Sequence, residues 1–217
     1  MRRMILAATV AVIAALAPAA TAAAQQPILF VHGWASSAST WNTMVDNFEA
    51  DGWTASQLRT WSYDTSQSNV DTAAEVATEI ADLMNDTGAT EVDVIAHSMG
   101  SLSSRYHLKN VTGADDDVDE WVSLGGPNHG TSTANWCFQT SCVEMRVGSD
   151  FLDDLNAGDE TPGAVNYGTW WSPCDSIINP DSSVALSGAT NTETACISHS
   201  ALTTDSTVYG QVRDFVD

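Results

Sequence analysis

The stretch Val92-Asp-Val-Ile-Ala-His-Ser-Met-Gly100 decides the fold. An apolar run ends, a serine follows at once, and helix-forming residues begin, which is the pattern of a strand, a sharp turn and a helix. Such a turn crowds its neighbours, so the positions two before and two after the serine must be small. They are Ala96 and Gly100. Alanine replaces the first glycine of the usual Gly-x-Ser-x-Gly pattern and is small enough to fit. The turn lifts the Ser98 hydroxyl above a sheet, and a helix beginning at Met99 aims its free N–H groups at any negative charge developing there. The bland alternative, Ser98 as an ordinary helix cap, explains neither the strand before it nor the paired small flanks.

Working outward, strand and helix signals alternate, as in a mostly parallel sheet with helices on both faces. Pro27–Val31 is a buried-strand run, and Gln57–Trp61 alternates as a short strand. Glu91–Ala96, Val118–Leu124, Val165–Trp171 and Thr194–Ser198 complete the expected strands. Trp41, Met44, Val45 and Phe48 repeat at helical spacing, with Ser39 or Thr40 as the cap and Gly52 as the stop. Val70 to Met84 forms a long amphipathic pattern capped by Asn69, and helices are expected at Met99–Lys109, near Ser149–Asn156 and near Asp205–Phe215. Gly125 to Gly163 is the longest irregular stretch. No repeat or linker interrupts the chain, so residues 25–217 read as one domain.

A strand–serine–helix turn in such a sheet predicts the minimal α/β-hydrolase fold, whose remaining groups follow in a fixed order, acid and then histidine. Of five histidines, His199 alone comes after the serine and lies between the last strand and the last helix. His32 precedes the serine, His97 lies inside the turn, His107 is on the next helix, and His129 sits in a turn-rich loop as a structural hydrogen-bonding residue. The acid belongs at the end of the preceding strand, where Trp170-Trp-Ser-Pro-Cys-Asp175 places Asp175; Asp181, six residues on, is its competitor. Asp175 would hold the His199 tautomer while His199 takes the Ser98 proton. Phe30-Val-His-Gly-Trp34 closes the first strand, and position alone makes the Trp34 N–H, beside that of Met99, the expected oxyanion donor pair. His32 reads as a brace for this loop.

Residues 1–24 read as an export signal: Arg2 and Arg3, an apolar run from Met4 to Ala17, then small residues up to a cleavage site near Ala24. The arginine pair leaves the general and twin-arginine routes both open. Secretion makes disulfides the expected state of Cys137, Cys142, Cys174 and Cys196. Cys174 precedes Asp175 and Cys196 stands three residues before His199, so a Cys174–Cys196 bridge would tie the acid loop to the base loop. Cys137 and Cys142 are then left to each other. The chain carries 28 acidic against 7 basic residues, a net charge of −21, with Lys109 its single lysine. So negative a surface repels nucleic acid and anionic membranes. Adaptation to high salt is one reading of this acidity; the ordinary acidity of exported proteins is the simpler one.

The four stretches Val31-His-Gly-Trp34, Ala96-His-Ser-Met-Gly100, Ser172-Pro-Cys-Asp175 and Ser198-His199 together resemble the small secreted bacterial lipases of class 2, which include the minimal Bacillus lipases. They span nearly the whole mature chain, and the Ala-His-Ser-Met-Gly turn is the most specific. The resemblance implies a trimmed α/β-hydrolase domain acting on triacylglycerol or other carboxylic esters through Ser98, Asp175 and His199, with Trp34 and Met99 as oxyanion donors. It implies no cofactor, no stable membrane anchor, a lipid or other ester as the substrate, and a monomer. Short-chain esters and polyesters are the alternative substrates, and a non-catalytic binding protein is the alternative of another class. The departures are the long Gly125–Gly163 stretch, a partial lid or a surface excursion, and the bulk of Trp34 beside the acyl pocket. Some relatives in the wider lipase group bind calcium; Asp115-Asp-Asp117 is read instead as a solvated acidic turn.

Overall fold

Successive residues of a strand face opposite sides of its sheet, and here both sides are apolar. β1 (Ile28–Val31), β3 (Val92–His97) and most of β4 (Val118–Leu124) are buried on both faces. Ile28, Phe30, Ile95, Val122 and Leu124 join one core cluster, whereas Leu29, Val31, Val94, Ala96 and Trp121 join the other. The computed structural model describes residues 25–217; the expected export signal, residues 1–24, lies outside the described residues.

With β2 (Leu58–Thr60), β5 (Asn166–Trp171) and β6 (Thr190–Glu193), these strands form a six-stranded sheet in the order β2-β1-β3-β4-β5-β6. Every pairing is parallel. The chain therefore crosses over between strands through helices, and the carboxyl ends of all six strands lie at one edge. α1 (Asn42–Ala50) and α6 (Ser206–Val216) cover one face, where Met44, Phe48, Val208 and Val212 pack on Phe30 and Trp170. α2 (Asn69–Thr87) and α3 (Gly100–Asn110) cover the other with Val76, Ile80, Leu83 and Leu102. This is the α/β-hydrolase architecture expected from the sequence.

The boundaries differ from expectation in instructive places. Ser39 and Thr40 do not cap α1; they lie inside a 3-10 turn, Ala38–Trp41, that runs straight into the helix. Ser68, not Asn69, caps α2, its hydroxyl accepting from the Val70 amide at 3.1 Å. Asn69 is buried and bridges elements instead: it accepts from the Ser103 hydroxyl at 2.7 Å and donates to Glu144 at 2.9 Å. The last strand is Thr190–Glu193 rather than Thr194–Ser198. Only the Thr194 amide continues the ladder, to the Trp171 carbonyl at 2.8 Å, before the chain leaves the sheet toward Cys196.

The irregular stretch after β4 holds more helix than expected. A 3-10 turn at Ser132–Trp136 and α4 (Thr140–Glu144) precede α5 (Asp150–Asn156), which Ser149 caps. Its inner side chains, including Ala134, Cys142, Met145 and Leu152, join the core cluster beneath it. The stretch is packed down as a wall rather than standing off the surface.

Candidate active site

Four strand ends deliver the candidate groups to one edge of the sheet. Beyond β3, Ser98 has φ 54°, a left-handed conformation that costs a non-glycine residue on the order of 1–3 kcal/mol. Hydrogen bonds hold it there: its amide donates to the Leu124 carbonyl at 2.9 Å, and its carbonyl accepts from Ser101 at 3.0 Å. The small residue at 100 is required by contact. A Cβ on Gly100 would lie 2.5 Å from the carbonyl oxygens of both Val31 and His32. The helix after the serine thus runs against the end of β1.

Beyond β1 the chain makes the second unusual turn, with Ala35 at φ 52°. The Thr65 hydroxyl accepts from the Ala35 amide at 3.2 Å and braces it, a contact that no sequence pattern announces. His32 is buried, stacks on Tyr63 with ring centroids 4.2 Å apart, and takes up the Gly33 carbonyl at 2.9 Å. Burial lowers its pKa, an effect the Gly33 carbonyl only partly offsets. His32 is therefore neutral and serves as the expected brace. Among the described residues, neither the Trp34 amide nor the Met99 amide has a hydrogen-bond partner. Met99 stands at the cap position of α3, where an amide is free by geometry.

Beyond β5 and β6 come the candidate acid and the candidate base. The Nδ1–H of His199 donates to Asp175 Oδ2 at 2.6 Å, and the other carboxylate oxygen accepts from the amides of Ile177 and Ile178 at 2.8 and 3.0 Å. Burial alone would raise the Asp175 pKa. The His199 bond and charge, with the two amides, outweigh it and hold the carboxyl below its ordinary range. Asp181 is occupied elsewhere, accepting from the amide of Ser182 at 2.8 Å.

Two residues that sequence reasoning missed fix this pair. Ser172, fully buried, donates to the Ile197 carbonyl at 2.6 Å and accepts from the amides of Ile197 and Cys174 at 3.0 and 3.1 Å. One hydroxyl thus clamps the acid loop onto the base loop. His97 donates through Nε2 to the His199 carbonyl at 3.1 Å. Burial first, and then the neighbouring His199 imidazole, push its pKa down to about 3, so His97 stays neutral and holds the His199 backbone without competing for protons. Cys174 is bonded to Cys196 and Cys137 to Cys142. Gly125, at φ 59°, leaves room for the base: a Cβ there would meet His199 Nδ1 at 3.1 Å.

Ser98 and His199 line one cavity of about 270 Å³, with Trp34, Ala134, Met145 and Ile178 among its walls. Among the described residues no hydrogen bond joins the Ser98 hydroxyl to the His199 ring, whose bond runs to Asp175; catalytic bonds of this kind tighten in the complex with substrate. His129 lies apart, bonded to Glu160 at 2.8 Å and to the Ser183 carbonyl at 3.2 Å. Among the described residues, the carboxylates that approach one another as a group are Asp93, Asp119 and Glu120, not Asp115–Asp117.

Residues 25–213 match the family model for lipase class 2. The chain belongs to the class 2 lipases. These are carboxylic ester hydrolases, and the fold agrees with that membership. The mature form of lipase BlEst2 from Bacillus licheniformis superposes with a TM-score of 0.78 at 17% identity, over 92% of this chain and 96% of that one. Lipase B of Aspergillus fumigatus superposes with a TM-score of 0.75 at 17% identity. That match covers 88% of this chain and 52% of the other, so this class 2 lipase spans about half that protein's length. The product of the lin2722 gene of Listeria innocua gives a TM-score of 0.69 at 15% identity, over 89% and 94% of the two chains. At such identities these likenesses speak for the fold.

Proposed function

We propose that this chain is a secreted, single-domain, monomeric lipase that cleaves triacylglycerol-type esters by two-step acyl transfer. Ser98 attacks the ester carbonyl while His199 takes its proton. The tetrahedral oxyanion sits between the amides of Trp34 and Met99, and loss of one such donor costs roughly 2.7–4 kcal/mol of transition-state stabilisation. The C–O bond breaks as His199 returns the proton to the leaving alcohol. Water, deprotonated by the same histidine, then releases the acid. Asp175 keeps Nδ1 protonated, so Nε2 is left as the basic atom that takes the serine proton. No cofactor takes part in these steps.

The observation that carries this reading is the 2.6 Å Asp175–His199 bond beside a strained Ser98 on the wall of one mostly apolar cavity. Secretion is supported by the two disulfides and the leader pattern of residues 1–24, and no described helix is long and apolar enough to cross a membrane. A second reading, preference for short acyl chains, is favoured by the cavity's 270 Å³, below the roughly 300–1,000 Å³ of most small-molecule pockets.

The test is a panel of short and long p-nitrophenyl esters with emulsified triglyceride, run beside Ser98→Ala and repeated in molar salt. Wild-type turnover on the triglyceride, with the variant slower by about 10⁴-fold or more, is the expected result. Failure of folded wild-type protein to react with a fluorophosphonate probe would leave Ser98 a structural residue and the chain a binding protein.

A further inference from the structure

Trp136 and Phe138 are 88% and 85% exposed, although apolar aromatic side chains so bare to water are uncommon without a purpose. They flank Cys137, whose backbone is extended (φ −119°, ψ 145°), so the two rings stand on one side and the cysteine on the other. Cys137 and Ala134 line the cavity that holds Ser98. The pair therefore stands on the outer side of the cavity wall, on a loop closed by the Cys137–Cys142 bridge. Gln139 of the same loop accepts from the Trp34 indole at 2.7 Å, joining it to the opposite wall.

The charges around this loop are disposed in a way the rest of the chain is not. No Asp, Glu, Lys or Arg occurs from Trp121 to Val143 or from Gln25 to Val45, in a chain with a net charge of −21. The next two charged side chains are turned inward. Glu144 accepts from the Ser68 hydroxyl at 2.6 Å and the Asn69 amide at 2.7 Å at the start of α2. Arg146 donates to the Cys137 carbonyl at 2.7 Å. Around the cavity mouth, exposed apolar residues such as Trp34 and Ile177 continue the patch.

We infer that Trp136 and Phe138 seat the cavity mouth on an uncharged lipid surface, so that the substrate is met as an aggregate and not as dispersed molecules. The surface must be uncharged because the remainder of the protein repels anionic headgroups, while the one cation at the loop, Arg146, lies 5.7 Å from the centre of the Phe138 ring and is engaged by the Cys137 carbonyl. This rests on the lipase reading above, and its test separates the two.

Binding is read without turnover, using Ser98→Ala protein and triolein droplets coated with phosphatidylcholine, alone or mixed with anionic phosphatidylglycerol. The added change W136S/F138S should lower droplet binding by about tenfold or more, since burying one large apolar side chain is worth at least that in partition. Anionic lipid should weaken binding of the parent. In the Ser98 background, W136S/F138S should keep the rate on soluble p-nitrophenyl acetate within about twofold while losing about tenfold or more on triolein emulsion. Undiminished droplet binding by the double variant overturns the inference, as does stronger binding to anionic droplets. A concentration-dependent dimer that the double variant abolishes, with droplet binding unchanged, would assign the patch to a second copy of the chain instead. Absence of any esterase activity alongside intact droplet binding would sink the lipase reading and leave the surface standing.

Discussion

Ser98 and His199 line the same cavity, but Ser98 and the Asp175–His199 pair are held by different kinds of structure. Ser98 sits between β3 and α3, which are buried around it, and neither disulfide ties those two elements. Asp175 and His199 sit on loops beyond β5 and β6, the latter an edge strand of exposed, polar residues. Packing cannot fix those loops, and local fastenings do so: the Cys174–Cys196 bridge, the Ser172 hydroxyl, two amides on the carboxylate and the His97 bond. The proposed nucleophile is positioned by the core, the proposed acid–base pair by staples. Perturbing each should therefore fail differently.

The largest effect is expected at the acid. Asp175→Asn keeps the shape of the loop but removes the charge that fixes the His199 tautomer, so kcat should fall by about 10⁴-fold with little change in melting temperature. A loss of less than tenfold in the ester assay would move the acid elsewhere, Asp181 first. Next come the staples. Removing Cys174–Cys196, with a sequence separation of 22, should cost roughly 3 kcal/mol in urea unfolding, against roughly 2 kcal/mol for Cys137–Cys142 with its separation of 5. In the comparison drawn above, the first removal should also cost activity on a soluble ester under conditions where the protein is still folded. Equal activity losses from the two bridges would break the comparison.

A smaller but more pointed effect is expected at Ser172. Ser172→Ala deletes one oxygen yet frees the acid loop from the base loop, so kcat should drop by about 10- to 100-fold with KM little changed. A matched fall in kcat and rise in KM would mean that the hydroxyl shapes the cavity rather than the pair.

The same contrast governs what could be read from the chain. The core half is legible because burial writes a pattern: four consecutive apolar residues at Ile28–Val31, a two-sided run at Val92–His97, and small residues wherever two backbones must touch. The stapled half is legible only through cysteines and through the order of acid and base. β6 was misplaced because Thr190–Glu193 has no apolar face to reveal it. The clamping role of Ser172, though it stands in a stretch that resembles the family, and the brace at Thr65 cannot be read from the chain, since a serine or threonine that accepts from an amide looks like any other. The caps of α1 and α2 were missed for a related reason: several hydroxyl and amide residues stand in a row, and tertiary bonds, such as those of Asn69 to Ser103 and Glu144, decide which of them caps.

The smallest expected effect lies in the packed half, at the end of the sheet away from the site. Asp93 is fully buried at the start of β3, with one carboxylate oxygen accepting from the Glu120 amide at 3.2 Å and the other unpartnered. Burial, and then the adjoining carboxyl groups of Glu120 and Asp119, raise its pKa well above the ordinary aspartate value. An acid whose folded pKa is raised binds its proton in the native state where the unfolded chain has already lost it. Its contribution is therefore most favourable at acid pH and declines as pH rises from the unfolded value through the folded one. Asp93→Asn keeps the acceptor for the Glu120 amide and removes the titration, so the variant should gain on the order of 1 kcal/mol at pH 8 and nothing below about pH 4. Urea midpoints of both proteins across that range provide the check. A variant less stable than wild type at pH 8 would mean that the Asp93 charge is matched by partners the packing does not reveal, and that the core half, too, depends on local fastening.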